Sequence, residues 1–388
     1  MYTFLILLIY LSFISLGLPD SLLASAWPIM HSNLNVPVSY MGIITMVISV
    51  STIVSSLFSY HFISKYKTGK VTIASVFITA FAMIGFSICN NFYIMILIAI
   101  PYGLGAGAID AALNNYVAIH YSSRHMSWLH CFWGVGTVIS PAVMNYAIKN
   151  FSWNYGYLFT GLIQLCIAIV LLMTIGIWRI NKEEYVKKEN EKTNLLKVLK
   201  IKGVPYVLCG FGAYCAAEST AMNWAGTYFF ECKNVSASDA AIYASLVFIG
   251  ITLGRFLSGF IANRFSDLKM IEIGSIISII GILMLIPADI IYSIIGFCMI
   301  GFGYAPIYPS IVHATPDNYG QDNSSAVIGF QMASAYLGST LMSPFYGFLG
   351  RYFGYGIMPF FLLFFVVLMT LSIEKSFNKS LTSYKKSL

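Results

Sequence analysis

Charge is what this sequence has least of: Asp, Glu, Lys and Arg make up 10% of its 388 residues, against roughly 25% in a soluble domain. A chain so poor in charge cannot clothe a water-exposed body, which excludes an ordinary soluble globule. Cysteine is sparse and unpatterned. Cys89, Cys131, Cys166, Cys209, Cys215, Cys232 and Cys298 are scattered without a CxxC pair, so neither a zinc site nor a disulfide framework is indicated, and they read as polarizable packing residues. No G-x-x-x-x-G-K-[ST] loop is present to cradle a nucleotide. No His pair has metal-ligand spacing and no nucleophile–base pattern emerges. The sequence therefore calls for no cofactor and no metal, and does not read as an enzyme.

What it has is apolar length. Hydrophobic residues make up 58% of the chain, with 26 Tyr, 29 Phe and six Trp, and the mean hydropathy is +0.77. Runs near the ~20 residues that cross a bilayer recur throughout. They place twelve spans at about 2–26, 39–64, 70–90, 93–119, 126–149, 155–179, 203–229, 238–263, 269–287, 290–313, 323–350 and 354–374. The first run lacks a basic n-region and a small-residue cleavage site, so it reads as a retained helix rather than a cleaved signal. The expected fold class is an all-α membrane protein of about twelve transmembrane helices in two pseudo-symmetric six-helix bundles. The bilayer is the chain's first partner.

One long polar stretch, RINKEEYVKKENEKTNLLKVLKIK at 179–202, divides the chain into six spans on either side. The domains expected are an N-terminal bundle (1–178), a cytoplasmic linker (179–202), a C-terminal bundle (203–374) and a cytoplasmic tail (375–388). With the N-terminus inside, nineteen of the 22 Lys and Arg fall on the cytoplasmic side; only Lys149, Lys233 and Arg351 fall outside. That asymmetry predicts that both termini and the central loop are cytoplasmic; the membrane expected is the plasma (inner) membrane. The asymmetry also accounts for the net charge of +7 without a nucleic-acid partner.

The halves repeat. A shift of 198 residues lays Gly103-Leu104-Gly105 through Asp110 on Gly301-Phe302-Gly303 through Tyr308, and Asp20-Ser21 on Glu218-Ser219. A slightly different offset matches Thr137–Pro141 with Thr340–Pro344. Parallel repeats with a binding site between the halves define a major transporter architecture.

Of the fifteen acids, Asp20, Asp110 and Glu218 lie in apolar spans away from loops and helix ends. A carboxylate at the bilayer centre costs ~2.5–3.5 kcal/mol even on insertion scales, so such groups are retained for function. Arg255 is placed toward the cytoplasmic end of the eighth span, away from them. An acid that loads and releases a proton can bias two conformations if each prefers one protonation state. All three are therefore candidate proton-coupling residues, Asp110 foremost because its repeat counterpart is the neutral Tyr308. Asn114 lies four residues on, on the same helix face. Gly103, Gly105 and Gly107 thin the helix for a close neighbour.

Other polar and aromatic residues are spaced to face these acids: His130 and Trp133 in the fifth span, Asn223 and Trp224 in the seventh, Tyr308 in the tenth and Gln331 in the eleventh. Together with Asn114 they form the expected substrate-binding set. Amides and carboxylates suit sugar hydroxyls, and an aromatic plane suits the C–H face. Gln164, Tyr228, Tyr304 and Tyr336 share this character; His120, His125 and His313, near the cytoplasmic ends, read as solvated.

These features resemble the major facilitator superfamily over essentially the full length. GRFLSGFIANRF at 254–265 is similar to its cytoplasmic-loop signature, with Asn263 where an Asp is usual, and 56–70 keeps the basic residues without the acid. Within the superfamily the chain looks most like the fucose–proton symporter group and its glucose-transporting relatives. LPDSLLASAWP carries Asp20 where that group has a first-helix Asp. GLGAGAIDAALNNYV carries Asp110 where it has a fourth-helix Glu followed by Asn, here Asn114. The resemblance implies uptake of a sugar or similar small polar solute by alternating access, coupled to protons, or to sodium as in some relatives, by a chain that works as a monomer. Ser140-Pro141 after Gly136 is a degenerate form of an antiporter motif, so a proton-coupled exporter of drugs or metabolites is the alternative.

Overall fold

The computed structural model describes residues 2–37, 40–179 and 195–384. Their backbone is helical, with no strand among the described residues, as hydrocarbon demands: a segment with no water to bond must satisfy its own N–H and C=O groups. The first half holds α1 (Tyr2–Gly17), α2 (Leu22–Asn33), α3 (Met41–Tyr66), α4 (Thr68–Ile88), α5 (Phe92–His120), α6 (Ser123–Asn150) and α7 (Trp153–Met173). The short α8 (Leu195–Val198) precedes α9 (Val204–Lys233), α10 (Ala237–Ile261), α11 (Asp267–Leu283), α12 (Ile290–Tyr304), α13 (Ile307–His313), α14 (Thr315–Tyr319), α15 (Gln321–Phe353) and α16 (Met358–Tyr384).

A helix or a broken helix pair covers each predicted span, and nine of these segments among the described residues are long and apolar enough to cross a membrane. The other three are α9, α11 and α15. The first and last carry many polar residues, and α11 is 17 residues long, or ~26 Å at the helical rise. Large apolar side chains such as Phe81, Leu97, Phe260 and Phe364 remain exposed, as they do on surfaces whose solvent is lipid. The final helix runs on to Tyr384, ten residues beyond the predicted end, so much of the expected tail continues it. Of the expected linker, 180–194 lies outside the described residues.

Two spans are broken, each at a proline. Between α1 and α2 the chain turns through Leu18-Pro19-Asp20-Ser21. Pro19 has no N–H for the carbonyl of Ser15, four residues back. Gln164 from α7 supplies the missing donor, its Nε2 lying 2.6 Å from Ser15 O. This side chain, grouped by sequence with the solute-facing amides, repairs a helix. The second break, Ala305-Pro306, separates α12 from α13.

The repeat reappears in the packing. A Cβ on Gly103 would lie 2.5 Å from Ile48 O of α3, and one on Gly105 2.9 Å from the Thr79 side chain of α4. At the 198-residue offset, Gly301 is pressed in the same way on Val247 of α10, and a Cβ on Gly303 would lie 2.5 Å from Ser278 N of α11. In each half one glycine admits the second helix and the other the third.

The contacts divide the chain into two compact units, Met1–Tyr116 with Leu129–Asn194, and Val117–Trp128 with Leu195–Leu388. The tip of the α5–α6 hairpin thus groups with the second unit, a feature absent from the expected boundaries. Ser123 Oγ donates to Asp267 at 2.8 Å, His313 Nδ1 lies 2.7 Å from the same carboxylate, and its Nε2 is 3.1 Å from Tyr121 O. His313 is therefore held on both ring nitrogens, contrary to the solvated histidine expected.

Candidate functional site

In the first unit, the proline break puts Asp20 between two helix ends instead of inside one. Gly17, a residue without a Cβ, lets the α6 backbone at Trp133 close in on α1, and Gly136 sits against Ile14 O in the same seam. That approach aims the Trp133 indole at Asp20: Nε1 donates to Oδ2 at 2.8 Å. From α5, Tyr102 Oη donates to Oδ1 at 3.1 Å. Both carboxylate oxygens are thus engaged, yet Asp20 is exposed and Trp133 half-buried. An accessible carboxylate between an indole and a phenol can take a hydroxyl donor while the rings offer flat apolar faces.

Asp110 and Asn114 lie one turn apart on α5 and are both buried, at 5% and 0% exposure. The Asn114 amide donates to Asp110 Oδ1 at 2.8 Å and to its backbone carbonyl at 2.9 Å. Its Oδ1 is 3.1 Å from His130 Nε2. An amide oxygen only accepts, so in this arrangement the imidazole carries its proton on Nε2. The order is fixed: His130 donates to Asn114, and Asn114 donates to Asp110. The ring of Phe13 meets His130 edge-on, with centroids 5.5 Å apart. The carboxylate, amide and imidazole form one buried hydrogen-bonded line across two helices.

The second unit treats its acid differently. Tyr214, one turn before Glu218 on α9, donates to Oε1 at 2.7 Å, and Arg255 Nη2 of α10 is 3.2 Å from the same oxygen. This corrects the expectation that no cation reaches the intramembrane acids: Arg255 is buried, at 4% exposure. Its long stem carries the guanidinium back from the helix end to the acid. Tyr214 Oη also lies 3.1 Å from Tyr304 O, the last carbonyl of α12 before the break. One hydroxyl proton serves two acceptors. An ionised Glu218 takes it, whereas a protonated Glu218 can donate to Tyr214 and leave that proton for the carbonyl.

The remaining expected residues fall in two groups. Asn223 is exposed and Trp224 half-buried; Asn223 Nδ2 donates to Ser343 Oγ at 3.0 Å and Trp224 Nε1 to Ser343 O at 2.9 Å. The Trp224 ring also stacks on Tyr355, with centroids 5.6 Å apart. Tyr308 is half-buried, its hydroxyl 3.1 Å from Met332 Sδ. Gln331 is wholly buried and paired with Thr315 through two hydrogen bonds of 2.9 and 3.1 Å. Tyr102, Tyr214, Thr315 and Ser343 hold expected residues without having been singled out by sequence. Tyr214 alone gave a local signal, four residues before Glu218.

The chain is similar to known proteins in sequence and in fold. The family model described as Major Facilitator Superfamily matches residues 9–339 and 206–386. The glucose/mannose transporter GlcP of Bacillus subtilis is 23% identical over 64% of this chain and 63% of its own length. Multidrug resistance protein 2 of the same organism is 21% identical over 72% of this chain and 73% of its own. In three of the curated relatives, GlcP among them, the aligned part is 45%, 63% and 56% of the relative's length. A crystal structure of the E. coli fucose:proton symporter, FucP, superposes with a TM-score of 0.77 at 14% identity, covering 97% of this chain and 98% of that one. With broken apolar helices, a doubled glycine seam and a family match across nearly the whole length, this multi-pass membrane chain belongs to the major facilitator superfamily, a family of transporters and not of enzymes.

Proposed function

We propose that the chain couples inward proton movement to uptake of a sugar or similar small polar solute by alternating access. The observation that supports this most is the buried line from Asp110 through Asn114 to His130. A carboxyl held there can exchange its proton only with a small set of groups, so its charge state can be tied to one conformation. Asp20 is a second proton or hydroxyl acceptor. Glu218, paired with Arg255, takes part as a switchable ion pair. Solute contact falls to the residues with accessible surface, Trp133, Asn223, Trp224 and Tyr308. Asn114 and His130 orient the proton site, and Gln331, paired with Thr315, holds α15 in place. The likeness to a glucose/mannose transporter and to the fold of a fucose:proton symporter supports a sugar-like solute.

The lysine and arginine distribution favours both termini cytoplasmic, and the plasma membrane is the location that goes with solute uptake. Export by proton antiport is the competing reading, favoured by the similarity to a multidrug resistance protein. Reconstituted vesicles separate the two. Under an inward proton gradient, a panel of labelled monosaccharides should include one that accumulates above its external concentration and alkalinises a weakly buffered exterior. Outward extrusion of a lipophilic cation, with no monosaccharide concentrated, is the exporter's result and contradicts symport.

A further inference from the structure

The first unit contains a cavity of 540 Å³ that the transport reading does not use, within the ~300–1,000 Å³ of pockets that enclose small ligands. It opens between α3 and α4 and is floored by α5. On α3, Val54, Phe58, Phe62 and Tyr66 recur every four residues along one wall. All four are more than 40% exposed. Lys70, Ala74 and Ile78 repeat the same spacing along the α4 wall. The floor is Leu104, Gly105 and Ala108. Ala108 and Asp110 are two residues apart on one helix, ~200° of rotation, so the groove lies on the face away from the proton site.

Its shape follows from the packing. Beside the groove α3 is tied to α5 by small hydroxyls: Ser55 Oγ donates to Leu104 O at 2.5 Å and Ser56 Oγ to Gly107 O at 3.3 Å. Gly105 brings α4 against the same helix. The two walls are joined at the Lys67 turn, where φ is 68°. The α3 wall from residue 54 to 66 rises ~18 Å, close to the ~15 Å that is half the ~30 Å hydrocarbon core.

Lys70 lines one end of this apolar slot, Lys65 and Lys67 stand next to it at the turn that joins the two walls, all three exposed, and no acidic residue occurs between Asp20 and Asp110. Lysine stems lie along apolar surface and lift their charges to the interface, and basic clusters at that depth hold anionic headgroups. We propose that this groove is a binding site for one anionic phospholipid, an acyl chain lying between α3 and α4 and the headgroup phosphate on Lys70 with its neighbours Lys65 and Lys67.

The test is native mass spectrometry of the delipidated full-length protein, titrated in parallel with dioleoylphosphatidylglycerol and dioleoylphosphatidylcholine. One phosphatidylglycerol per chain should be retained in preference to phosphatidylcholine. Lys70→Ala should weaken phosphatidylglycerol retention about fivefold, the size expected for one lysine at an anionic surface, and leave phosphatidylcholine unchanged. Ala74→Phe, an exposed position, should fill the slot and remove both. If that variant loses the wild-type melting temperature, Ile78→Trp occupies the same space from the same wall. Equal retention of the two lipids, or variants that retain phosphatidylglycerol as the wild type does, would reduce the groove to ordinary lipid contact and overturn the site. A change of oligomeric state on filling the slot, with lipid retention intact, would assign the face to a second copy instead.

Discussion

At the scale of single residues, the intramembrane acids are distinguished by what holds them. Asp20 is accessible and carries two aromatic donors; Asp110 is buried on an amide; Glu218 is paired with an arginine and a phenol. Glu218→Gln should therefore destabilise the protein by removing the charge that compensates buried Arg255, at a cost of about 3–5 kcal/mol. Replacing Arg255 with Met in the same chain should recover much of that loss. Scanning fluorimetry in detergent checks this, and a double mutant less stable than Glu218→Gln would contradict the pairing. The acids themselves were legible in the sequence because a charge in an apolar run is conspicuous. So was the Asp110–Asn114 contact, since four residues is one helical turn. Arg255 was not, because its Cα position says little about where a flexible side chain delivers its guanidinium.

At the scale of helices, the breaks matter more than the spans. Pro19 and Gln164 are coupled through Ser15 O, which yields a double-mutant cycle. Gln164→Leu leaves that buried carbonyl unsatisfied and should cost about 1–3 kcal/mol. Pro19→Ala restores the missing N–H, so the Gln164→Leu change should cost much less in its presence. Additive melting shifts would show that the two act separately. Pro19→Ala alone should also reduce transport, because it favours continuing α1 through the turn that presents Asp20. Helix positions could be read from the sequence with few errors, since hydropathy sets them. Neighbours across helices could not: a segment apolar on every side does not encode which face meets which partner. Tyr102 reaches Asp20 across 82 residues, and nothing local marks it. The glycine pairs at 103/105 and 301/303 are the exception, because only a missing side chain permits that closeness.

At the scale of the whole molecule, the two halves share a packing plan and differ at particular residues. Both halves keep the glycine seam that seats the second and third helices on the fourth. They differ in where a proline interrupts a span: in the first helix of one half and the fourth helix of the other. They differ also at the repeat-related pair Asp110 and Tyr308, one a buried carboxyl bonded to Asn114 and the other a phenol beside Met332. In a mechanism of alternating access, a symmetric scaffold supplies two conformations, and the asymmetric residues decide what each conformation binds.

The central claim is that Asp110 is the group whose protonation drives uptake, and it is tested most directly with Asp110→Asn in proteoliposomes holding a solute the wild type concentrates. Asparagine keeps the shape and the hydrogen bond to Asn114 but cannot exchange a proton. The variant should exchange labelled for unlabelled solute at near wild-type rates while losing accumulation under an inward proton gradient. An Asp110→Asn protein that still concentrates solute against its gradient would contradict the assignment.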